Sequence, residues 1–207
     1  RECSRMESAT QILSEVIKMD PSYAPAYEVL GDNYLEGFKF TQATEYYFKS
    51  WEKGGFNETR AFKLGTALSY DRKYVESRDF FETILTHNPN HEVALYKVIE
   101  SSCEIGDLKK ARKLLTQFRS NTTPWMQLAQ GKIYEGENNS EAAITAYSIA
   151  KRIAPEHPYV YAGLGRVYLS KAMYDSAISN LSTATTYDTL NMQYLIYLGL
   201  AFEKSGD

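Results

Sequence analysis

Residues 161–181 read YAGLGRVYLSKAMYDSAISNL, and residues 27–47 read YEVLGDNYLEGFKFTQATEYY. Both open on Tyr, carry a Leu-Gly pair and place an aromatic residue three positions after the glycine. Both then set an alanine twelve positions after the glycine and a bulky apolar residue four positions beyond it. The polar letters between them differ. Self-similarity of this kind marks a chain built from stacked units. Working outward, Gly31 and Gly65 lie 34 residues apart, as do Gly131, Gly165 and Gly199. Gly65 to Gly131 is 66, two periods less two residues, with Ile99 at the intermediate place. A second series runs Ala9, Ala43, Ser77, Ala111, Ala143, Ala177, and a third Leu13, Tyr47, Phe81, Leu115, Tyr147, Leu181. Pro21, Pro89 and Pro155 end three units; Gly55, Thr123 and Thr189 hold that place in others.

The spacing has a physical reading. Tyr27, Leu30, Gly31 and Tyr34 form one helical stripe at i, i+3, i+4 and i+7, and Ala43 and Tyr47 begin another. EGFKF between them is a short turn containing glycine. Each unit is therefore two antiparallel helices. The glycine is expected to face the alanine, Gly165 against Ala177 for example, so that the two backbones approach. Proline cannot continue a helix and marks the next start.

These residues resemble the tetratricopeptide repeat, whose pattern is Trp-x2-Leu-Gly-x2-Tyr, then Ala-x3-Phe, then Pro, over about 34 residues. Tyr27-x2-Leu30-Gly31-x2-Tyr34 and Tyr161-x2-Leu164-Gly165-x2-Tyr168 fit with Tyr for Trp, and Leu195-x2-Leu198-Gly199-x2-Phe202 fits more loosely. The resemblance covers essentially the whole chain. It implies an all-α helix–turn–helix solenoid winding as a right-handed superhelix, a single array over residues 1–207. Five complete repeats are expected at 24–57, 58–91, 92–123, 124–157 and 158–191, with half repeats at 1–23 and 192–207. The half repeats suggest a piece of a longer protein, such as a regulatory interaction segment of a larger signalling protein, or a self-assembling array whose end helices dock head to tail between molecules. The unit from Glu92 to Thr123 is two residues short, and Ile99 at its small position should push its helices apart.

Of the 207 residues, 24% are charged and 43% hydrophobic, an ordinary balance for a folded chain. The formal net charge of −3 argues against bulk attraction to nucleic acid. No apolar run approaches the roughly 20 residues of a membrane span. Cys3 and Cys103 are the only cysteines, which fits a reducing, cytoplasmic setting. The chain does not begin with Met, which leaves a missing leader and other compartments open. Asn57-Glu58-Thr59, Asn121-Thr122-Thr123 and Asn138-Asn139-Ser140 match the N-glycosylation pattern, as expected by chance in a polar chain.

Enzymatic chemistry is not expected, nor is a metal or cofactor. His87 and His91 are spaced HxxxH, but Pro89 lies between them and no Glu follows the first; with His157 they are read as loop histidines. Cys103 sits beside Glu104, which does not favour a thiolate. The residues that vary between units should carry specificity instead. The family resemblance implies that three first-helix positions line a concave face: six and three residues before the small position, and one after it. Carried onto this chain they are Pro25, Glu28 and Asp32; Thr59, Phe62 and Thr66; Val93, Tyr96 and Glu100; Trp125, Leu128 and Lys132; Tyr159, Ala162 and Arg166. Lys63 and Lys97 lie beside them. This face reads acidic at its start, aromatic in the middle and mildly basic towards the end, and suits a peptide or helix of a partner protein. Phe62 and Tyr96 either project from it or pack between units. Some relatives bind acidic chaperone tails through a clamp of Lys, Asn and Arg residues. Here Glu28 and Asp32 stand in the first pair's places and would repel a carboxylate.

Overall fold

The computed structural model describes residues 2–118, 123–189 and 191–206, with the side chains of residues 2–8 outside the description. The Cys3 side chain, and Asn121 and Thr122 of one glycosylation match, therefore lie outside the described residues. The described residues form α-helices joined by short turns, with no strand among them. The chain divides into two compact units, residues 1–89 and 90–207. The first holds α1 (Glu2–Met19), α2 (Ala24–Glu36), α3 (Phe40–Gly54), α4 (Glu58–Tyr70) and α5 (Tyr74–His87). The second holds α6 (Glu92–Ile105), α7 (Leu108–Leu115), α8 (Pro124–Gly136), α9 (Ser140–Ile153), α10 (Pro158–Ser170), α11 (Tyr174–Tyr187) and α12 (Met192–Ser205).

Local chemistry sets the helix starts. Asn57, Asp107, Thr123 and Asn139 each accept a hydrogen bond from the backbone N–H three residues on, opening α4, α7, α8 and α9. His91 Nδ1 does the same for α6 at 3.1 Å. Pro25, Pro124 and Pro158 lie in the first turns of α2, α8 and α10, where no N–H is needed. The Tyr that opens two of the units also ties the preceding proline: Tyr27 donates to the Pro21 carbonyl at 3.1 Å and Tyr161 to that of Pro155 at 2.6 Å.

Within each regular pair the glycine is a slot, and its occupant differs from the expected one. A Cβ on Gly165 would lie 2.5 Å from Leu181 Cγ, so the nearest partner is the bulky third-series residue and not Ala177. Gly31 meets the Tyr47 ring at 2.5 Å, Gly65 the Phe81 ring at 3.0 Å and Gly131 the Tyr147 ring at 2.5 Å. Ala43, Ala143 and Ala177 are fully buried beside these contacts and let the helices close on them. Ser77 replaces the alanine in the second pair and satisfies its hydroxyl on the Gly65 carbonyl at 2.8 Å. Tyr147 is held from two sides. A Cβ on Gly163 of α10 would also meet its ring, at 2.6 Å.

The irregular unit has its slot filled, and its second helix suffers. Ile99 is fully buried at the small position, and Leu115, its third-series partner, is only half-buried while Tyr47, Phe81, Tyr147 and Leu181 are at 0–1% exposure. Helix α7 is eight residues long, against 14 for α9 and α11. At the turns, the residue seven after the small position is left-handed: Phe38, Arg72, Gly106, Asn138, Ala172 and Gly206 have φ between 56° and 88°. The expected turn glycine in the first pair, Gly37, has φ −80°, and Phe38 beside it takes the left-handed conformation.

Slots and turns set the response to substitution. Gly163→Ala should cost about 1–3 kcal/mol, because its new methyl overlaps the Tyr147 ring, whereas Gly199→Ala should gain up to about 1 kcal/mol from helix propensity. The difference arises because, among the described residues, a Cβ at Gly199 would meet nothing within 4 Å beyond its own helix backbone. Ala172→Gly should stabilise by about 0.5–1 kcal/mol by removing the left-handed Cβ clash. Chemical denaturation of the three variants beside the parent measures all three; equal midpoints for Gly163→Ala and Gly199→Ala would refute the slot.

Candidate functional site

In the first unit, α2 and α4 present Glu28, Asp32, Phe62 and Lys63. The carboxylates do not stand free. Lys63 Nζ lies 2.7 Å from Asp32 and 3.2 Å from Glu28, and Arg60 Nε lies 3.6 Å from Glu28. Arg60 is buried, and it also donates to Ser50 Oγ at 2.8 Å and to the Gly55 carbonyl at 3.0 Å. Tyr47, the slot occupant, carries its hydroxyl through to Asp32 at 2.6 Å. Burial and that hydrogen bond both push its phenol up. Burial alone would lower the Lys63 ammonium, but Asp32 and Glu28 outweigh it and raise it. Phe62 is half-buried, edge-on to Phe81 at 5.4 Å. Pro25 and Thr59 are exposed and Thr66 is half-buried.

The second unit repeats this plan with α6, α8, α10 and α12. Lys97 Nζ pairs with Glu100 at 2.8 Å, and Tyr96 donates to the other oxygen of the same carboxylate at 2.9 Å. Lys132 pairs with Glu104 at 2.5 Å. Arg166 grips Glu135 with two nitrogens, at 2.8 and 3.1 Å, and Tyr147 donates to that carboxylate as well. Burial would raise Glu100, yet Lys97 and Lys132 hold it down at about 2. Burial likewise opposes the charge of Glu135, and Arg166 and Lys132 keep its carboxyl below the ordinary range.

The aromatic residues gather beside these ions. Tyr96, Trp125 and Tyr159 lie with ring centres 5.5–5.8 Å apart. Lys97 sits 4.5 Å over the Tyr159 ring. His157 is edge-on to Trp125 at 4.7 Å, and burial lowers its pKa. Trp125 and Tyr159 are half-buried, whereas Tyr96 and Leu128 are 1% and 0% exposed and Ala162 is buried. Val93 is half-buried.

The expected set is therefore brought onto consecutive first helices within each unit, with two corrections. Tyr96 and Leu128 present no open surface, because neighbouring helices cover them. The expected gradient from acidic to basic is replaced by pairing: Lys63, Lys97, Lys132 and Arg166 each hold a carboxylate, and Glu28 and Asp32 of α2 are held in turn. Sequence reasoning missed Arg60, Glu104, Glu135, Tyr147 and Gly163. The signal was available in the spacing of opposite charges: Asp32–Lys63 and Glu135–Arg166 are 31 residues apart and Glu104–Lys132 is 28, each close to one repeat.

The remaining candidates have structural surroundings. His87 ends α5 rather than lying in the loop, stacked 3.7 Å from Phe56. His91 and His157 stand at the N-caps of α6 and α10. Burial pushes the Cys103 thiol up to about 12, which suppresses its thiolate. Among the described residues no group of three or more His, Cys, Asp or Glu could hold a metal ion, and no helix is long and apolar enough to cross a membrane.

No protein-family model matches the chain. It is 25% identical over 199 residues to Superkiller protein 3 of Schizosaccharomyces pombe, spanning 96% of this chain and 12% of that protein. It is 24% identical over 162 residues to the BBSome complex member BBS4 homolog of Drosophila melanogaster, spanning 77% of this chain and 33% of that one. The chain thus spans an eighth to a third of the length of these relatives. Among solved structures it is similar to a thermophilic TPR protein of Thermus thermophilus, with TM-score 0.65 and 12% identity over 86% of this chain and 98% of that one. A tetratricopeptide repeat protein from Parabacteroides merdae gives TM-score 0.63 and 12% identity over 97% and 94% of the two chains. The Cut9–Hcn1 hetero-tetramer of the APC/C gives TM-score 0.56 and 17% identity over 96% of this chain and 40% of that one. With the helix pairs, slots and turns described above, these likenesses give the chain a tetratricopeptide-type helical repeat fold.

Proposed function

We propose that this chain is a non-enzymatic protein-interaction module, working in a reducing cytoplasmic setting. Its first-helix face takes an uncharged stretch of a partner protein, as a peptide or helix. The observation that carries this reading is the pair Trp125 and Tyr159: two half-buried rings on consecutive first helices, beside cations whose charge is already spent on carboxylates of the same chain. A partner carboxylate or ammonium would have to displace one of these pairs. An aromatic or aliphatic side chain would gain ring contact without that cost. Phe62 offers a similar surface in the first unit. The wider likeness supports an interaction role: one relative is named as a complex member and one neighbour is a hetero-tetramer. The perturbed groups are held for folding, and the Cys103 thiol is suppressed.

A second reading, self-association, is favoured by α12, where Leu195, Ile196 and Phe202 are 40%, 58% and 39% exposed around the open slot at Gly199. Light scattering over a wide concentration range separates the two readings. If α12 docks a second copy, Ile196→Glu should abolish the concentration dependence and leave partner capture intact.

Affinity capture with the full chain, compared with the Trp125→Ala/Tyr159→Ala variant and read by mass spectrometry, tests the leading reading. The double variant should keep its helical signal and lose bound partners, since a buried aromatic anchor is worth about 2 kcal/mol or more. Identical partner profiles would exclude this face. The ion pairs predict a separate behaviour. Glu100 is held down at about 2 from an ordinary 4.5. A carboxyl depressed by folding contributes stability that is complete above its unfolded pKa and is lost as pH falls through the folded one. The unfolding midpoint should therefore drop between about pH 4.5 and pH 2. Glu100→Gln should cost about 3–5 kcal/mol at neutral pH by leaving Lys97 buried without its partner, and should flatten part of that acid limb. Denaturant titrations across this range measure both.

A further inference from the structure

We infer that the outer face of α7 is a separate interaction surface for a short acidic segment of a partner protein. Helix α7 reads LKKARKLL: four cations and no acid in eight residues, in a chain of net charge −3. Ala111 is buried, and Lys109, Arg112 and Lys113 are exposed on the opposite side. Elsewhere in this unit Lys97, Lys132, Arg166 and Lys171 each hold a carboxylate, and Arg112 itself is gripped by Glu137 at 2.6 Å. Lys109 and Lys113 have no carboxylate within 4.0 Å among the described residues.

The placement also works against the helix. α7 carries Lys109 and Lys110 in its first turn and no acid there, where the positive end of the helix dipole disfavours cations. Lys109 and Lys113 are four apart on one face and repel. By contrast α4, α5, α6, α9 and α11 each have an acid in the first turn, and α2, α3, α8, α10 and α12, which have none, carry no cation there either. The shortest of the described helices thus carries cations at its positive end, offset by the Asp107 cap, and a like-charged pair, Lys109 and Lys113, on its solvent side. Local rules are broken where a surface is kept for something other than folding.

The size and setting of the patch select the ligand. Eight helical residues span about 12 Å, matched by about four residues of extended chain. Asp107 at its N-cap and Glu137 against Arg112 flank it, and the chain as a whole is acidic. A long polyanion such as duplex nucleic acid, or an anionic membrane, would meet those carboxylates beyond the patch. A short run of Asp and Glu would not.

The test uses the whole chain and a fluorescein-labelled hexaglutamate, with a short DNA duplex as competitor, read by fluorescence anisotropy. Hexaglutamate should bind at low ionic strength and weaken several-fold as salt rises from about 0.02 M to about 0.2 M. Lys109→Glu should lower that affinity at least about tenfold while raising the thermal midpoint, because it places an acid in the first turn and opposite Lys113. The opposed signs separate a binding role from a folding role. The proposal fails if hexaglutamate does not bind, if Lys109→Glu binds it equally, if that variant melts below the parent, or if the duplex binds more tightly than the peptide. The Trp125→Ala/Tyr159→Ala variant should bind hexaglutamate as the parent does, so failure here leaves the first-helix reading untouched.

Discussion

The second unit depends on one ring. Tyr147 stands on α9 with Gly131 of α8 on one side and Gly163 of α10 on the other, both too close for a methyl group. Three helices are thereby fixed at backbone distance around a single side chain. The same ring then passes out of the apolar layer, and its hydroxyl reaches Glu135, which holds Arg166 on the next first helix. Packing and polar connection are thus joined in one residue, and neither can shift without the other. Tyr47 plays the corresponding part in the first unit, seated on Gly31 and bonded to Asp32, which pairs with Lys63.

This coupling decides the chemistry of the first-helix face. Charges that read as recognition groups are drawn into pairs because adjacent first helices lie side by side, and an ion left alone near the core costs more than one shared. The pairs stitch α2 to α4, α6 to α8 and α8 to α10. Half-buried rings stand beside these pairs: Phe62 in one unit, Trp125 and Tyr159 in the other.

The unit from Glu92 to Thr123 shows the cost of departing from the slot. Isoleucine at position 99 occupies the space that glycine leaves empty elsewhere, and Leu115 cannot seat fully. Its second helix then ends early, with less of its apolar side engaged. Lys109, Arg112 and Lys113 lie outward, and the helix is held by the Asp107 cap, the buried Ala111, half-buried leucines and the Arg112–Glu137 pair.

By itself the sequence determined the helices, their pairing and the periodic glycines Gly31, Gly65, Gly131 and Gly165, though not Gly163. These follow from spacing along the chain, and a period of 34 survives any change of polar residue. The first-helix positions of Phe62, Trp125, Tyr159 and the groove cations came from the resemblance to the tetratricopeptide repeat and not from spacing alone. Only the tertiary structure decided which residue fills each slot, Leu181 rather than Ala177, since that depends on how deeply two helices interlock. It alone buried Tyr96 and Leu128 and paired Lys97 with Glu100 and Arg166 with Glu135. Burial and pairing are set by what the neighbouring helix brings within a few ångströms, and no single repeat contains that information.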